Sequence, residues 1–372
     1  MLHSRTIVLS AINLVEGGTL TILNQCLSYL NSDPSMHGAF RIIALVHKKD
    51  MFHYENIEFM EFPNSKKSWL FRLYYEYIGF YFLSKRLKPF LWLSLHDMSP
   101  IVYAKRQAVY CHNSTPFYRT HLKDIKYSYK VFLFSLLYKY VYWINLKSND
   151  YVIVQQQWIR NGFHEIYNLA LSRIVVAHPN ENNAPIERTL INASQRASVK
   201  LFFFPSLSRL FKNFEIVCEA ANLLLQRGVD NYQVVLTIDG TEDVYSREIV
   251  KRYRSNSKII FCGRLPYQEI FDFYAQTSCL IFPSKLETWG LPISEFIQFN
   301  RPMILADFPY AHEAASGANQ VVFFNPDDAK QLSILMEKVL MDDLSDFNSV
   351  PRCDIAKPFA QSWKELFDIL LR

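Results

Sequence analysis

Short apolar runs alternate with stretches of helical periodicity from near the start of the chain almost to its end. Few architectures accept that pattern. A strand with one wet face alternates apolar and polar residues, whereas a strand covered on both faces reads as a continuous apolar run. Such strands separated by helices make a parallel α/β sheet. TIVLSAI, FRIIALVH, FLWLSLHD, QAVYCHN, DYVIVQ and RIVVAH read as strands in the first half, and KLFFFPS, YQVVLTID, SKIIFCG, SCLIFPS, RPMILAD and NQVVFF in the second. The 3.6-residue spacing predicts helices over 19–30, 69–87 and 124–146, then over 211–227, 243–254, 267–277 and 292–299. At 372 residues the chain exceeds what one hydrophobic core organises. We therefore expect two Rossmann-like domains, at 1–180 and 199–356, around a cleft. The polar, proline-containing stretch 181–198 is the linker, and a terminal helix at 357–372 can cross back to the first domain. Ligands of such sheets bind beyond the carboxyl ends of the strands.

Composition excludes several classes. Half the residues are apolar and a fifth charged, which is globular and not disordered. No apolar stretch reaches the ~18 residues of a membrane span; the richest, 131–146, is interrupted by Lys139. The first 18 residues have the length of an export signal, yet their apolar part reads as a strand running into Gly17 and Gly18, without a small-residue cleavage site. Cys26, Cys111, Cys218, Cys262, Cys279 and Cys353 form no C-x-x-C pair. That speaks against zinc and disulfides and suits reduced thiols in a cytoplasm. Glycosylation-type matches at Asn113 and Asn192 then carry no weight. The common nucleotide and metalloprotease fingerprints are absent.

The net charge of +5 conceals an asymmetry: residues 1–185 hold 20 Lys/Arg against 12 Asp/Glu, and the remainder 20 against 23. Within 66–147 there are 14 basic residues against Glu76, Asp97 and Asp124, mixed with 22 of the 57 aromatics. An anionic partner on the first domain is the expectation.

The window CLIFPSKLETWGLPISEFIQFNRPMILAD (279–307) carries the chemistry. A buried strand ends at Pro283, a loop holds Glu287, Trp289 and Gly290, and a helix opens with Pro292 at its first position. Backbone N–H groups at such a turn suit phosphate. Two carboxylates beside a phosphate cradle make sense when the ligand also offers hydroxyls, as a nucleotide sugar does.

The Glu-x7-Glu pair with an internal Gly-Leu-Pro, after an apolar strand ending in Pro-Ser, resembles the donor motif of glycosyltransferase family 4, retaining enzymes of the GT-B fold. The resemblance extends to the Gly-Gly loop after the first strand, a Lys-Asn opening a helix in the second half, Cys-Gly-Arg-Leu at 262–265 and the Trp-containing terminal segment. It implies a UDP- or GDP-type sugar donor. Glu287 would face the donor sugar's hydroxyls, and Glu295 would accept hydrogen bonds from the ribose. Gly290 and Leu291, next to Trp289, would offer N–H groups, and Gly263, Arg264 and Leu265 would line the base. Lys212 would meet the diphosphate. The family often has an Arg six residues before that Lys, where this chain has Ser206; Arg209 or Arg264 can replace it. Gly17 and Gly18 would admit the ligand close to the backbone. His112 would sit near the reacting sugar, and His96, Asp97, Tyr118, Arg119 and, at the same edge, Arg160 are offered to the acceptor.

Each residue also has a plainer role: Glu295 answering the helix dipole, Glu287 a loop carboxylate, Lys212 a solvated charge, Gly17-Gly18 a tight turn, His112 a structural strand-end histidine. The family's usual chemistry is front-face attack with the leaving phosphate as base. No Asp-x-Asp occurs, so no metal or other cofactor is expected. The basic, aromatic first domain fits a lipid-pyrophosphate-linked saccharide at the inner face of the cytoplasmic membrane, in surface-polysaccharide, O-antigen or capsule assembly. Alternatively, 66–88 is a buried helix whose only wet stripe is Arg72 and Glu76. The rival functions are a nucleotide-sugar epimerase of the same fold and a degenerate, non-catalytic binding protein. Acids throughout the second half disfavour nucleic acid.

Overall fold

The structure, a computed structural model, describes residues 5–118, 127, 137–178 and 199–372. Among these, 5–118, 137–178 and 355–372 make one compact unit, and 127 with 199–354 the other. The linker stretch and most of the helix expected over 124–146 lie outside the described residues, although 137–143 is helical.

The first unit is built on β1 (Arg5–Ala11), β2 (Phe40–Val46), β3 (Glu58–Glu61), β4 (Leu91–Ser94), β5 (Arg106–Tyr110), β6 (Tyr151–Val154), β7 (Ile174–Ala177) and β14 (Phe359–Ala360). The second holds β8 (Lys200–Phe204), β9 (Tyr232–Leu236), β10 (Ile259–Phe261), β11 (Cys279–Phe282), β12 (Met303–Ala306) and β13 (Val321–Phe324). All named strands pair in parallel, in the orders β14-β7-β6-β5-β4-β1-β2-β3 and β10-β9-β8-β11-β12-β13. β4, β7, β11 and β12 are buried along their whole length, as strands covered on both faces must be.

The two orders share one property that decides where a ligand can bind. From β1 the chain lays down β2 and β3 on one side, then returns to place β4 on the other. From β8 it likewise lays down β9 and β10, then returns with β11. Loops leaving β1 and β4, or β8 and β11, diverge, and each such switch point opens a crevice at the carboxyl ends of the strands.

Three departures from the sequence reading have local causes. β3, with the sequence EFME, is a short charged strand at the sheet edge, too short to show a period. The terminal segment is not helical from 357. Pro358 disfavours helix before it, Phe359–Ala360 extend the sheet beside Val176–Ala177, and the helix starts only at Trp363, where Ser362 accepts from the Glu365 N–H. Its Trp363, Leu366, Phe367 and Leu370 join the core of Leu23, Leu27 and Leu30. Arg160 anchors the returning chain. Its buried guanidinium donates to the carbonyls of Ala356, Lys357 and Leu171, so it is a clasp and not an acceptor-edge group.

The third departure is in 69–87, which is an α-helix over Trp69–Tyr74, a π-turn over Tyr75–Gly79 and an α-helix over Phe80–Leu87. A π-turn adds one residue and rotates the following face by about 100°. Glu76 is thereby fully buried, not part of a wet stripe, while Trp69, Leu70, Phe71, Leu73, Tyr74, Ile78 and Phe82 are exposed.

Candidate active site

In the second unit the loops leaving β8 and β11 are tied together at the switch point. The Lys285 N–H donates to Phe211 O at 2.7 Å. Asn213, in the left-handed region at φ 62°, opens the helix Phe214–Gln226 and donates from Nδ2 to Pro283 O at 3.3 Å and Pro326 O at 2.8 Å. The Tyr310 hydroxyl donates to Ser284 O at 2.6 Å. These bonds bring Lys212, on the turn Leu210–Lys212, against Glu287, 75 residues later. Lys212 Nζ and Glu287 Oε1 form an ion pair whose side chains are only 15% and 12% exposed. The ammonium also lies 5.7 Å from the Phe282 ring centroid and 5.8 Å from that of Phe211.

Gly290 follows at φ 92°, a conformation that side chains other than glycine's strain to adopt, and opens the short helix Leu291–Ile297. Trp289 is buried, its Nε1–H donating to Ser294 Oγ at 3.0 Å, so the indole braces the turn from inside. Leu291 is exposed. Glu295, on the same helix, accepts from the Tyr274 hydroxyl at 3.0 Å and from Tyr267. Burial pushes its carboxyl above the ordinary carboxylate range, against the pull of those two hydroxyls.

Around the neighbouring strand ends, Ser206 is clasped through its backbone to Thr237. The Ser206 N–H donates to Thr237 Oγ1, and that hydroxyl donates to Ser206 O, both at 2.7 Å. Arg209 is exposed and donates to Ser208 O at 2.8 Å. Arg264 is exposed and Leu265 half-buried. Gly263, at φ 72°, leaves no room for a Cβ, which would lie 2.9 Å from Asp239 Oδ2. Asp239 was not singled out from the sequence; the Asp-Gly after β9 was its one signal. Tyr267, Tyr274 and Tyr310 had none, because their partners are remote in sequence.

In the first unit, Gly17 adopts φ 68° at the opening of the helix Gly17–Ser32, with Gly18 beside it, and a Cβ on either would meet open space. Asp97, itself at φ 68°, accepts on Oδ1 from the N–H groups of His112 (2.5 Å) and Asn113 (3.1 Å) and from the Tyr142 hydroxyl (2.6 Å). His112 stacks on Tyr110 with centroids 4.4 Å apart, and its Nε2 lies 3.0 Å from Leu95 O. Burial holds its imidazole below the ordinary value, against the Asp97 carboxylate. His96 is fully enclosed. Tyr118 is half-buried at the end of a tight turn, its N–H donating to Thr115 O at 3.0 Å; Arg119 lies outside the described residues. Among the described residues, no group of three or more His, Cys, Asp or Glu is placed to hold a metal, and no helix is long and apolar enough to cross a membrane.

Residues 187–352 match the model of the family described as Glycosyl transferases group 1. By that match the stretch is similar to a group 1 glycosyl transferase domain. Every residue of the second unit expected from the sequence to meet a donor, from Ser206 to Glu295, falls within it; Gly17, Gly18, Asp97 and His112 lie outside. The chain is similar to O-antigen chain mannosyltransferase RfbU of Salmonella typhimurium strain LT2, at 21% identity over 257 residues. The aligned part is 68% of this chain and 66% of that protein, just short of two thirds of the relative's length. Among solved structures, sucrose-phosphate synthase from Thermosynechococcus elongatus matches with TM-score 0.66 at 13% identity, covering 92% of this chain and 91% of that one. Anabaena HepE, solved in complex with UDP and glucose, matches with TM-score 0.59 at 13% identity, covering 92% of both. At these identities the likeness is one of fold. The fold is of the GT-B class, two parallel-sheet α/β units in one chain.

Proposed function

We propose that the protein is a retaining glycosyltransferase of family 4. It would move a sugar from a nucleoside diphosphate, of UDP or GDP type, to a hydroxyl of a lipid-pyrophosphate-linked saccharide in O-antigen or related surface-polysaccharide assembly. One observation carries the proposal: the Lys212–Glu287 pair joins a cation and a carboxylate from loops on either side of the β8/β11 switch point. A diphosphate needs the first and sugar hydroxyls need the second. The group 1 family, the O-antigen relative and the UDP and glucose in HepE support it.

In this mechanism the bond from the anomeric carbon to the diphosphate oxygen breaks, the acceptor oxygen bonds to the same face, and the acceptor's proton passes to the leaving phosphate. Lys212 meets the charge that develops on the diphosphate, which is electrostatic catalysis without a metal. Glu287 would hold sugar hydroxyls and Glu295, oriented by Tyr274 and Tyr267, the ribose. Gly263, Arg264 and Leu265 would flank the base, with Gly290 and Leu291 offering N–H groups. From the first unit Gly17 and Gly18 would admit the donor close to the backbone, His112 would stand near the reacting sugar, and Asp97 would serve the acceptor side.

Thermal unfolding against a panel of nucleoside diphosphates and their sugars tests the donor. A ligand at 100 times its Kd adds about 2.7 kcal/mol, a shift of a few degrees. One nucleotide is expected to raise Tm in the wild type and not in Glu295→Ala. A panel with no shift would favour the degenerate binding protein, and donor turnover without acceptor would favour an epimerase.

The exposed face of 66–88 supports a membrane-bound acceptor. Leu70 is 77% and Phe82 65% exposed, Lys66, Lys67, Lys85, Arg86 and Lys88 are exposed around them, and the one acid of the segment, Glu76, is inside. Exposed apolar side chains with exposed cations at both ends of the segment and no exposed acid suit an anionic bilayer at the cytoplasmic face. In vesicle flotation the protein is expected to bind phosphatidylglycerol vesicles, to release with salt, and to lose about tenfold in affinity on Leu70→Ser with Phe82→Ser. Equal binding to zwitterionic vesicles, or none to either, would remove the membrane from the proposal.

A further inference from the structure

The β1/β4 switch point of the first unit holds a buried polar cluster that the proposed chemistry does not use. Ser10 of β1 and Ser94 of β4 are register partners on one sheet face, both fully buried. His96 Nε2 lies 2.9 Å from Ser10 Oγ and 3.3 Å from Glu76 Oε1. Beyond that contact between His96 and Glu76, neither Glu76 oxygen, nor Ser94 Oγ, nor His96 Nδ1 meets a hydrogen-bond partner among the described residues. The carboxyl is carried inward by the π-turn Tyr75–Gly79, next to the apolar core of Val8, Phe80 and Trp92. A buried carboxyl without hydrogen bonds costs several kcal/mol, and an apolar residue there would not incur it. Burying a glutamate on a distorted helix therefore asks for a compensating role.

We infer that Glu76 is a positioning residue for the first unit's site: it holds His96, and through His96 the turn on which His112 and Asp97 are set. The role rests on the transferase activity proposed above. The bonds that carry it are continuous. His96 O accepts from Arg72 Nη2 at 2.9 Å and from the Met98 N–H at 2.9 Å. The Leu95 N–H donates to Ser10 O at 2.8 Å, and Leu95 O is the partner of the His112 ring. Asp97, the next residue, takes the N–H of His112. A shift of His96 thus moves both groups that orient His112.

The titratable and charged groups facing the Glu76 carboxyl are Arg72 and Tyr77 from its own segment and His96 from the β4 loop, with His112 beyond His96. Burial pushes Glu76 up to about 8, against the pull of Arg72, and holds His96 well below its ordinary value. Both are neutral at pH 7, and the carboxyl ionises within the working range of an assay.

The test uses the full chain, with Glu76→Gln, which keeps the shape and cannot titrate, and Glu76→Leu, which removes the polar contact. With the donor identified by the nucleotide panel, the wild type is expected to lose kcat as pH rises through about 8, and Glu76→Gln to keep kcat within about threefold at pH 7 and to lack that fall. Glu76→Leu is expected to lower kcat at least about tenfold with a smaller change in donor KM, since Lys212, Glu287 and Glu295 are in the other unit. An alkaline limb identical in wild type and Glu76→Gln would overturn the inference, as would full activity in Glu76→Leu. Should the Leu variant fail to fold by circular dichroism, the Gln pH profile decides alone. Should the wild type transfer no sugar, the transferase proposal is what fails. Glu76 is then judged by the ring NMR signals of His96 and His112: a step near pH 8 that disappears in Glu76→Gln upholds the inference, and a step that persists overturns it.

Discussion

Lys212→Ala is expected to slow sugar transfer by about 10²- to 10³-fold, with a smaller rise in donor KM. The proposed reaction places new negative charge on the leaving diphosphate, and a cation already fixed beside it needs no reorganisation when that charge appears. Removing one preorganised donor of this kind costs about 3–4 kcal/mol of transition-state stabilisation. The site carries few substitutes. Ser206 stands where the related family often has arginine, Arg209 is turned to its neighbour's carbonyl, and Arg264 is exposed. Lys212→Ala also leaves the Glu287 carboxylate, 12% exposed, without its cation and next to an anionic ligand. Lys212→Ala with Glu287→Ala is therefore expected to be no slower than Lys212→Ala alone, because the two act as a unit. Steady-state transfer with the donor found in the melting panel measures both. A loss under about tenfold for Lys212→Ala would take the diphosphate away from this residue.

The largest effect on stability belongs to Glu76. Its carboxyl sits at about 8 in the folded chain against 4.5 ordinarily, so between those values the unfolded chain releases a proton that the folded chain keeps. Stability then falls as pH rises, by about 1.4 kcal/mol per unit and by roughly 5 kcal/mol at most across the window. His96 works the opposite way. Its folded value lies well below the ordinary 6.5, so its contribution is lost as pH drops below that point. The two slopes oppose each other just below 6.5, and above 6.5 only the loss from Glu76 continues. Glu76→Gln removes one slope and leaves the other. Its melting temperature relative to wild type is expected to climb steadily from pH 5 to pH 8, by several degrees. Parallel curves across that range would mean that the carboxyl is ionised in the folded chain.

The fold class was legible because burial on two faces leaves an unmistakable mark. LFFF of β8 and CLIF of β11 have no polar alternation to lose, and only a parallel sheet with helices on both sides uses strands of that kind. Gly290 was legible for a similar reason, since a left-handed turn admits few residue types, and Pro292 marked the first turn of the helix although it stands second in it, after Leu291. The π-turn at Tyr75–Gly79 left no such mark. Its sequence, YEYIG, is equally compatible with a regular helix, and the burial of Glu76 accompanies the packing of Tyr75 on Phe80 and of Phe80 on Trp92. β14 leaves no mark of its own in the sequence, because two residues cannot establish a period and their partner, Val176–Ala177, is far away in the chain.

By itself the sequence determined what depends on neighbours along the chain: strands against helices, the glycine turns, and the Glu-x7-Glu spacing that places Glu287 and Glu295 around one turn. Tertiary structure alone decided what depends on chain segments meeting. It set Lys212 against Glu287, aimed Tyr274 at Glu295, made Arg160 a clasp for the returning terminus and enclosed Glu76 with His96. The division has a physical basis. Backbone preferences and hydrophobic periodicity act over a few residues and are written in local order. Ion pairs and the desolvation of buried charges are set by distance and dielectric in space, which local order does not encode.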